Sequence, residues 1–200
     1  MSLTPTPTLT RTLLGAAAVA LLVAACGAPE PAKETAPAAT AAPAQQSPVD
    51  RGRYLAEFGG CDDCHTPMVM GPRGPAPDMS KRLSGHPAAV TMPTVKLPAA
   101  PWGWYGAATN TAFAGPWGVS YAANLTPDAD TGLGRWSDAD FMKSMRTGTH
   151  LAAPQRPILP PMPWADVAKL NDDDLKAVFA FLKTLPPVVN AVPDATVAPQ

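Results

Sequence analysis

Two cysteines and a histidine stand together at Cys61-Asp62-Asp63-Cys64-His65, a C-x-x-C-H run. Thiols three positions apart, just after a helix end, can reach the two vinyl groups along one edge of a porphyrin and form thioethers with them. The next residue is then carried beneath the iron, where its imidazole becomes an axial ligand. A bare C-x-x-C would also admit a redox dithiol or half of a zinc site. The first lacks βαβ surroundings here, and the second lacks a further pair of ligands. The motif therefore predicts covalent c-type haem (heme c) bound at Cys61 and Cys64 with His65 as a metal ligand, and a single motif predicts one haem.

An iron so held needs a sixth ligand or an open position, and the choice separates electron transfer from ligand chemistry. Besides His65 the chain offers eight methionines and two histidines, His86 and His150. Met1 is lost with the expected signal. Met68 and Met70 follow His65 too closely for the chain to pass around the porphyrin edge. Met142 and Met145 fall in a predicted helix, where methionine is more often core than ligand. Met162 lies in Leu159-Pro160-Pro161-Met162-Pro163-Trp164, a stiff segment able to present a thioether without a helix. Spacing alone leaves Met162 in competition with Met79, Met92, His86 and His150. An open position would instead suit a catalytic or sensory haem, and an idle Cys61–Cys64 disulfide would mean a colourless structural lipoprotein.

Three helices must position these groups. The first is predicted over residues 49–58, capped by Ser47, with Pro48 suited to its first turn and Gly59-Gly60 ending it before Cys61. A second, over 138–147, has Ser137 and Asp140 as a capping box, Trp136 and Phe141 at the staple positions and Gly148 as a stop. The third has Asn171 as cap and Asp172, Asp173 and Asp174 complementing the helix dipole. In it Leu175, Val178, Phe179 and Leu182 fall at i, i+3, i+4 and i+7, and Pro186-Pro187 follows. Residues 66–123, with Trp102, Trp104 and Trp117, show no sustained period and read as an irregular, partly packed excursion. The fold class is therefore mainly α with long irregular Pro/Gly-rich loops.

The first 25 residues read as an export signal, with Arg11 before an apolar run from Leu13 to Ala25 that is short for a membrane span. Val23-Ala24-Ala25-Cys26 resembles a lipobox, so Cys26 is expected to be lipidated and to become the mature N-terminus, holding the protein on a membrane. Gly27 after it is compatible with sorting to an outer membrane. From 27 to 48 the chain has no large apolar residue, only Ala, Pro, Thr, Gln and a few other small or charged residues. That stretch reads as a tether with a reach of about 70 Å if extended. The expected organisation is a signal over 1–25, a lipidated Cys26 and tether over 26–48, a haem domain over 49–190 and a flexible tail over 191–200. A net charge of −1 and the absence of any Lys/Arg run give no footprint for nucleic acid.

The domain resembles the bacterial cytochrome c family, in particular the cytochrome domains that accompany membrane-bound alcohol and sugar-acid dehydrogenases. The resemblance rests on residues 51–55 (Arg-Gly-Arg-Tyr-Leu), 124–128 (Asn-Leu-Thr-Pro-Asp), 131–141, Pro161-Met162-Pro163-Trp164 and 181–187, in that order around the Cys61 motif. It implies a cytochrome c fold, Met162 as the distal iron ligand, and a close crossing of the first and last helices in which Gly52 meets Phe181, with Val178 beside it. It also implies single-electron transfer in a periplasmic or cell-surface respiratory chain, with redox proteins such as a dehydrogenase, other cytochromes or an oxidase as partners, rather than an enzyme's chemistry. Relatives of this kind often carry several haem domains, and this chain has one motif.

Overall fold

The computed structural model describes residues 46–96, 101, 103–151 and 155–197. The expected signal, Cys26 and nearly all of the tether lie outside the described residues, as does Trp102.

Helix α1, Pro48–Phe58, begins where the Ser47 hydroxyl accepts the Asp50 N–H at 3.1 Å. After Gly59 and Gly60 the chain enters a short helix, α2, Cys61–His65. The sequence predicts an irregular excursion over 66–123, and the chain builds short antiparallel pairs there instead. Strand β1 (Met68–Gly71) pairs with β2 (Gly74–Pro77), and β3 (Tyr105–Gly106), β4 (Ala112–Gly115) and β5 (Gly118–Tyr121) form a meander. Helix α3, Asp138–Thr147, carries the expected Ser137–Asp140 capping box. It is followed by the pair β6 (Thr149–His150) and β7 (Arg156–Pro157), by one turn of helix, α4 (Trp164–Val167), and by α5, Asp172–Leu182, capped by Asn171. Strand β8 (Thr196–Val197) closes the larger sheet by pairing with β5. The segment predicted as a flexible tail is thus paired through Val197, and the fold mixes helices with small sheets rather than being simply mainly α.

The core lies where α1 crosses α5. Leu175, Val178, Phe179, Phe181 and Leu182 are buried there with Ala56, Leu83, Leu133 and Phe141, and Phe141 stacks on Phe179 with ring centroids 5.0 Å apart. Gly52 is what permits the crossing. A Cβ built on it would overlap the Ala177 carbonyl and come within 2.9 Å of the Val178 nitrogen. Gly52 thus lies against the backbone of α5 at Ala177 and Val178, and further along α5 the Phe181 ring lies beneath the guanidinium groups of Arg53 and Arg82.

An ion pair secures the same crossing, since Arg51 donates from Nε and Nη2 to the two oxygens of Asp174 at 2.7 and 3.1 Å. Those hydrogen bonds hold the Asp174 carboxyl below the usual carboxylate range. Because the folded-state value is depressed, the stabilisation is fully present above the unfolded carboxyl's pKa and is lost as pH falls through the folded one. Asp174→Asn is expected to lower the urea midpoint at neutral pH, and the gap to the parent protein should close as pH falls below the ordinary carboxylate range and through the depressed folded-state value.

The chain just after α5 is held by side-chain amides. Asn190 donates from Nδ2 to the carbonyls of Ser84 and His86 at 2.7 and 2.9 Å and accepts the Ala88 N–H at 2.9 Å. Asn124 donates to the Val188 carbonyl at 2.8 Å. Polar groups of the 66–123 excursion are thereby satisfied by the chain that follows α5.

Candidate functional site

Helix α2 gathers Cys61, Cys64 and His65 into a little over one turn. Both cysteines are half-buried free thiols. Burial, with Asp62 adding to it, pushes the Cys61 thiol up to about 11, and burial with Asp63 also raises Cys64. That is the opposite of the depressed thiol a redox dithiol needs. Among the described residues no group of three or more His, Cys, Asp and Glu side chains converges, so the pair has no companions there for a structural zinc.

The His65 ring is buried, and its Nδ1 lies 2.8 Å from the Ala123 carbonyl oxygen. A carbonyl only accepts, so Nδ1 carries the proton and Nε2 keeps its lone pair. Burial lowers the imidazole's pKa against the opposing hydrogen bond to Ala123, which favours the neutral ring that ligates a metal. Two thiols on one helix and one imidazole with a free nitrogen are a donor set that fits a c-type haem. The helix itself is clamped from the 66–123 excursion. Arg82 donates from Nε and Nη2 to the two oxygens of Asp62 at 2.9 and 2.7 Å, and Nη2 also reaches Glu57 at 3.1 Å. Burial works upward on the Asp62 carboxyl, but hydrogen bonds from Arg82 and Thr66 outweigh it and hold the group below its ordinary value.

Met162 is half-buried on the loop between β7 and α4. Leaving that loop, the Trp164 indole lies against Gly148, which follows α3 at φ 63°; a Cβ there would run into the ring. At the loop's other side the Ser120 hydroxyl donates to the Pro160 carbonyl at 2.6 Å. Residues 120–123 therefore touch both predicted ligands' supports: Ser120 holds the Met162 loop, and Ala123 holds His65. No direct contact ties Met162 to the Cys61–His65 helix in the hydrogen-bond or ion-pair pattern of the described residues.

The competing ligands fare differently. His86 is wholly buried, with Nδ1 2.9 Å from the Thr111 hydroxyl and Nε2 2.8 Å from the Val90 carbonyl, so neither nitrogen is free. It organises the excursion as a packing histidine. His150 sits in β6 with its ring edge-on to Trp136 at 5.6 Å, and burial, then Arg156, lowers its pKa against the pull of Asp194. Met79 is exposed in a short 3₁₀ turn, and Met92 lines an apolar cavity with Tyr105 and Phe113. Met142 and Met145 pack against the core. Sequence reasoning missed Ala123, Ser120 and Arg82. A main-chain acceptor such as the Ala123 carbonyl leaves no mark in residue type.

Residues 49–186 match the family described as Cytochrome c. The chain is 32% identical over 150 residues to the gluconate 2-dehydrogenase cytochrome c subunit of Pantoea cypripedii, covering 74% of this chain and 26% of that protein. With the alcohol dehydrogenase (quinone) cytochrome c subunit of Gluconobacter oxydans it shares 29% identity over 144 residues, covering 72% and 23%. With the fructose dehydrogenase cytochrome subunit of Gluconobacter japonicus it shares 26% identity over 171 residues, covering 86% and 28%. The chain thus spans roughly a quarter of the length of these curated relatives. It belongs to the cytochrome c family and is related to the cytochrome domains associated with dehydrogenases. Membership implies a covalent c-type haem.

Proposed function

We propose that this chain is a one-electron carrier with one haem held by Cys61, Cys64 and His65 and closed on its other side by Met162. When bound, the haem supplies an iron that takes up and gives back a single electron. The observation that carries this reading is the His65 ring, fixed by Ala123 so that Nε2 presents a lone pair beside two free thiols. Cys61 and Cys64 fix the porphyrin edge covalently, His65 donates a strong nitrogen, and Met162 offers a soft thioether that favours reduced iron. An iron closed on both sides suits a carrier working with a dehydrogenase, another cytochrome or an oxidase. Lipidation of Cys26 and the 27–48 tether would hold the domain at the periplasmic or cell-surface face of a membrane. The relatives' names, each a cytochrome subunit of a dehydrogenase, support the partner class.

Two measurements on the purified, full-length holoprotein test this. A pyridine haemochrome assay should return one haem per chain, and a redox titration should follow a single reversible one-electron step. A colourless protein, or one that reduces irreversibly, overturns the proposal.

A further inference from the structure

Four of the residues from 157 to 163 are proline, so the segment carrying Met162 has few N–H groups with which to anchor itself. Among the described residues, two hydrogen bonds tie 158–162 to the rest of the protein. One joins the Ile158 N–H to the Gly148 carbonyl at 2.7 Å, and the other runs from the Ser120 hydroxyl to the Pro160 carbonyl at 2.6 Å. The second lies two residues from Met162. Ser120 is buried, in β5, and its hydroxyl is aimed by a second bond, since the Trp117 indole N–H donates to it at 3.2 Å. Trp117 in turn packs over Gly115 across the β4–β5 turn. Three residues beyond Ser120, in the same run of chain, Ala123 accepts the His65 N–H.

We infer that Ser120 is a positioning residue for the sixth ligand: the β4–β5 hairpin of the 66–123 excursion holds the Met162 loop by its Pro160 carbonyl, and so sets how tightly that ligand stays closed against competitors. The inference rests on the reading of Met162 as the distal ligand. It gives the excursion a role, since the run 120–123 that braces the proximal histidine also braces the distal loop. Loss of one buried hydrogen bond at this point should let the loop open more often, without removing the thioether itself.

The test is imidazole binding to the oxidised full-length holoprotein, with the weak far-red absorption of thioether-ligated iron as a second readout. Ser120→Ala should keep that absorption and bind imidazole about five- to tenfold more tightly, the loss of one net hydrogen bond. Ser120→Thr, which restores a hydroxyl, should bind within about twofold of the parent on the same scale. Ser137→Ala, which removes the α3 cap and lowers stability elsewhere, should leave imidazole affinity unchanged. If Ser120→Ala yields no folded protein, Trp117→Phe removes the indole donor, along with the part of the ring that packs over Gly115, and should still tighten imidazole binding. Parental affinity in Ser120→Ala or, failing that, in Trp117→Phe overturns the positioning role, as does an equal shift in Ser137→Ala. A parent protein without the far-red absorption overturns the Met162 reading itself, and the positioning role with it.

Discussion

Gly52→Val is expected to abolish the folded holoprotein, or to leave so little stability that haem-bearing material is recovered only in traces. The atom a side chain would first add at position 52 overlaps the carbonyl of Ala177, and that carbonyl belongs to the backbone of α5. Neither partner is a flexible side chain end that can swing aside. Relief requires α1 to lift away from α5, and α5 contributes most of the buried core: Leu175, Val178, Phe179, Phe181 and Leu182. Overpacking of this kind costs about 1–3 kcal/mol even where side chains can adjust. Where backbone is struck, the core opens as well, and a domain has only about 5–15 kcal/mol to lose. Gly52→Ala separates this reason from ordinary helix weakness. If Gly52 were only a poor helix former, alanine would stabilise α1 by roughly 0.5–1 kcal/mol. The close crossing predicts the opposite sign, a lower denaturation midpoint, read by urea unfolding of the holoprotein.

Three helices, α1, α3 and α5, were legible because their ends are written in side chains, whereas the short α2 and α4 were not. Ser47, the Ser137–Asp140 box and Asn171 each satisfy the N–H groups a helix start leaves open, and the observed starts follow those residues by one position. The Cys61 motif was legible because its spacing is the chemistry. The sheets were not, for two reasons visible in the residues. Strand β2 is Gly-Pro-Ala-Pro, whose composition argues against a strand, and β4 is buried at all four positions, so it shows no alternation. Strands of two to four residues give too short a window for a period. The tail hid for a related cause: Thr196–Val197 has no local signal and is ordered by pairing with Gly118 and Val119 far back in the chain. The groups that hold His65 and the Met162 loop are main-chain carbonyls, of Ala123 and Pro160, and any residue supplies one. Sequence types reveal side-chain chemistry and helix ends; which carbonyl meets which donor is decided by the fold.

With Met162 as the proposed sixth ligand, Met162→Ala should change the iron's behaviour strongly while leaving the domain folded. The parent protein, oxidised, should show the weak far-red absorption of thioether ligation, and the variant should lack it. Its reduction potential should fall by roughly 0.1–0.3 V, within the ~0.8 V that axial ligands span, because the soft thioether favours the reduced iron and water or hydroxide does not. Imidazole or azide should then bind without displacing a protein ligand, and tightly. Three of the four alternatives are poorly placed to rescue it. His86 has both nitrogens engaged, Met79 is exposed on a 3₁₀ turn, and Met92 faces a cavity against Tyr105 and Phe113. Met92→Leu and Met79→Leu should therefore keep both the far-red absorption and the parental potential. Persistence of the absorption in Met162→Ala, with its loss in either of those two, would transfer the ligand role to the residue whose removal abolished it. A parent protein that binds azide as readily as Met162→Ala would have an open sixth position, and would be suited to ligand chemistry rather than to carrying electrons.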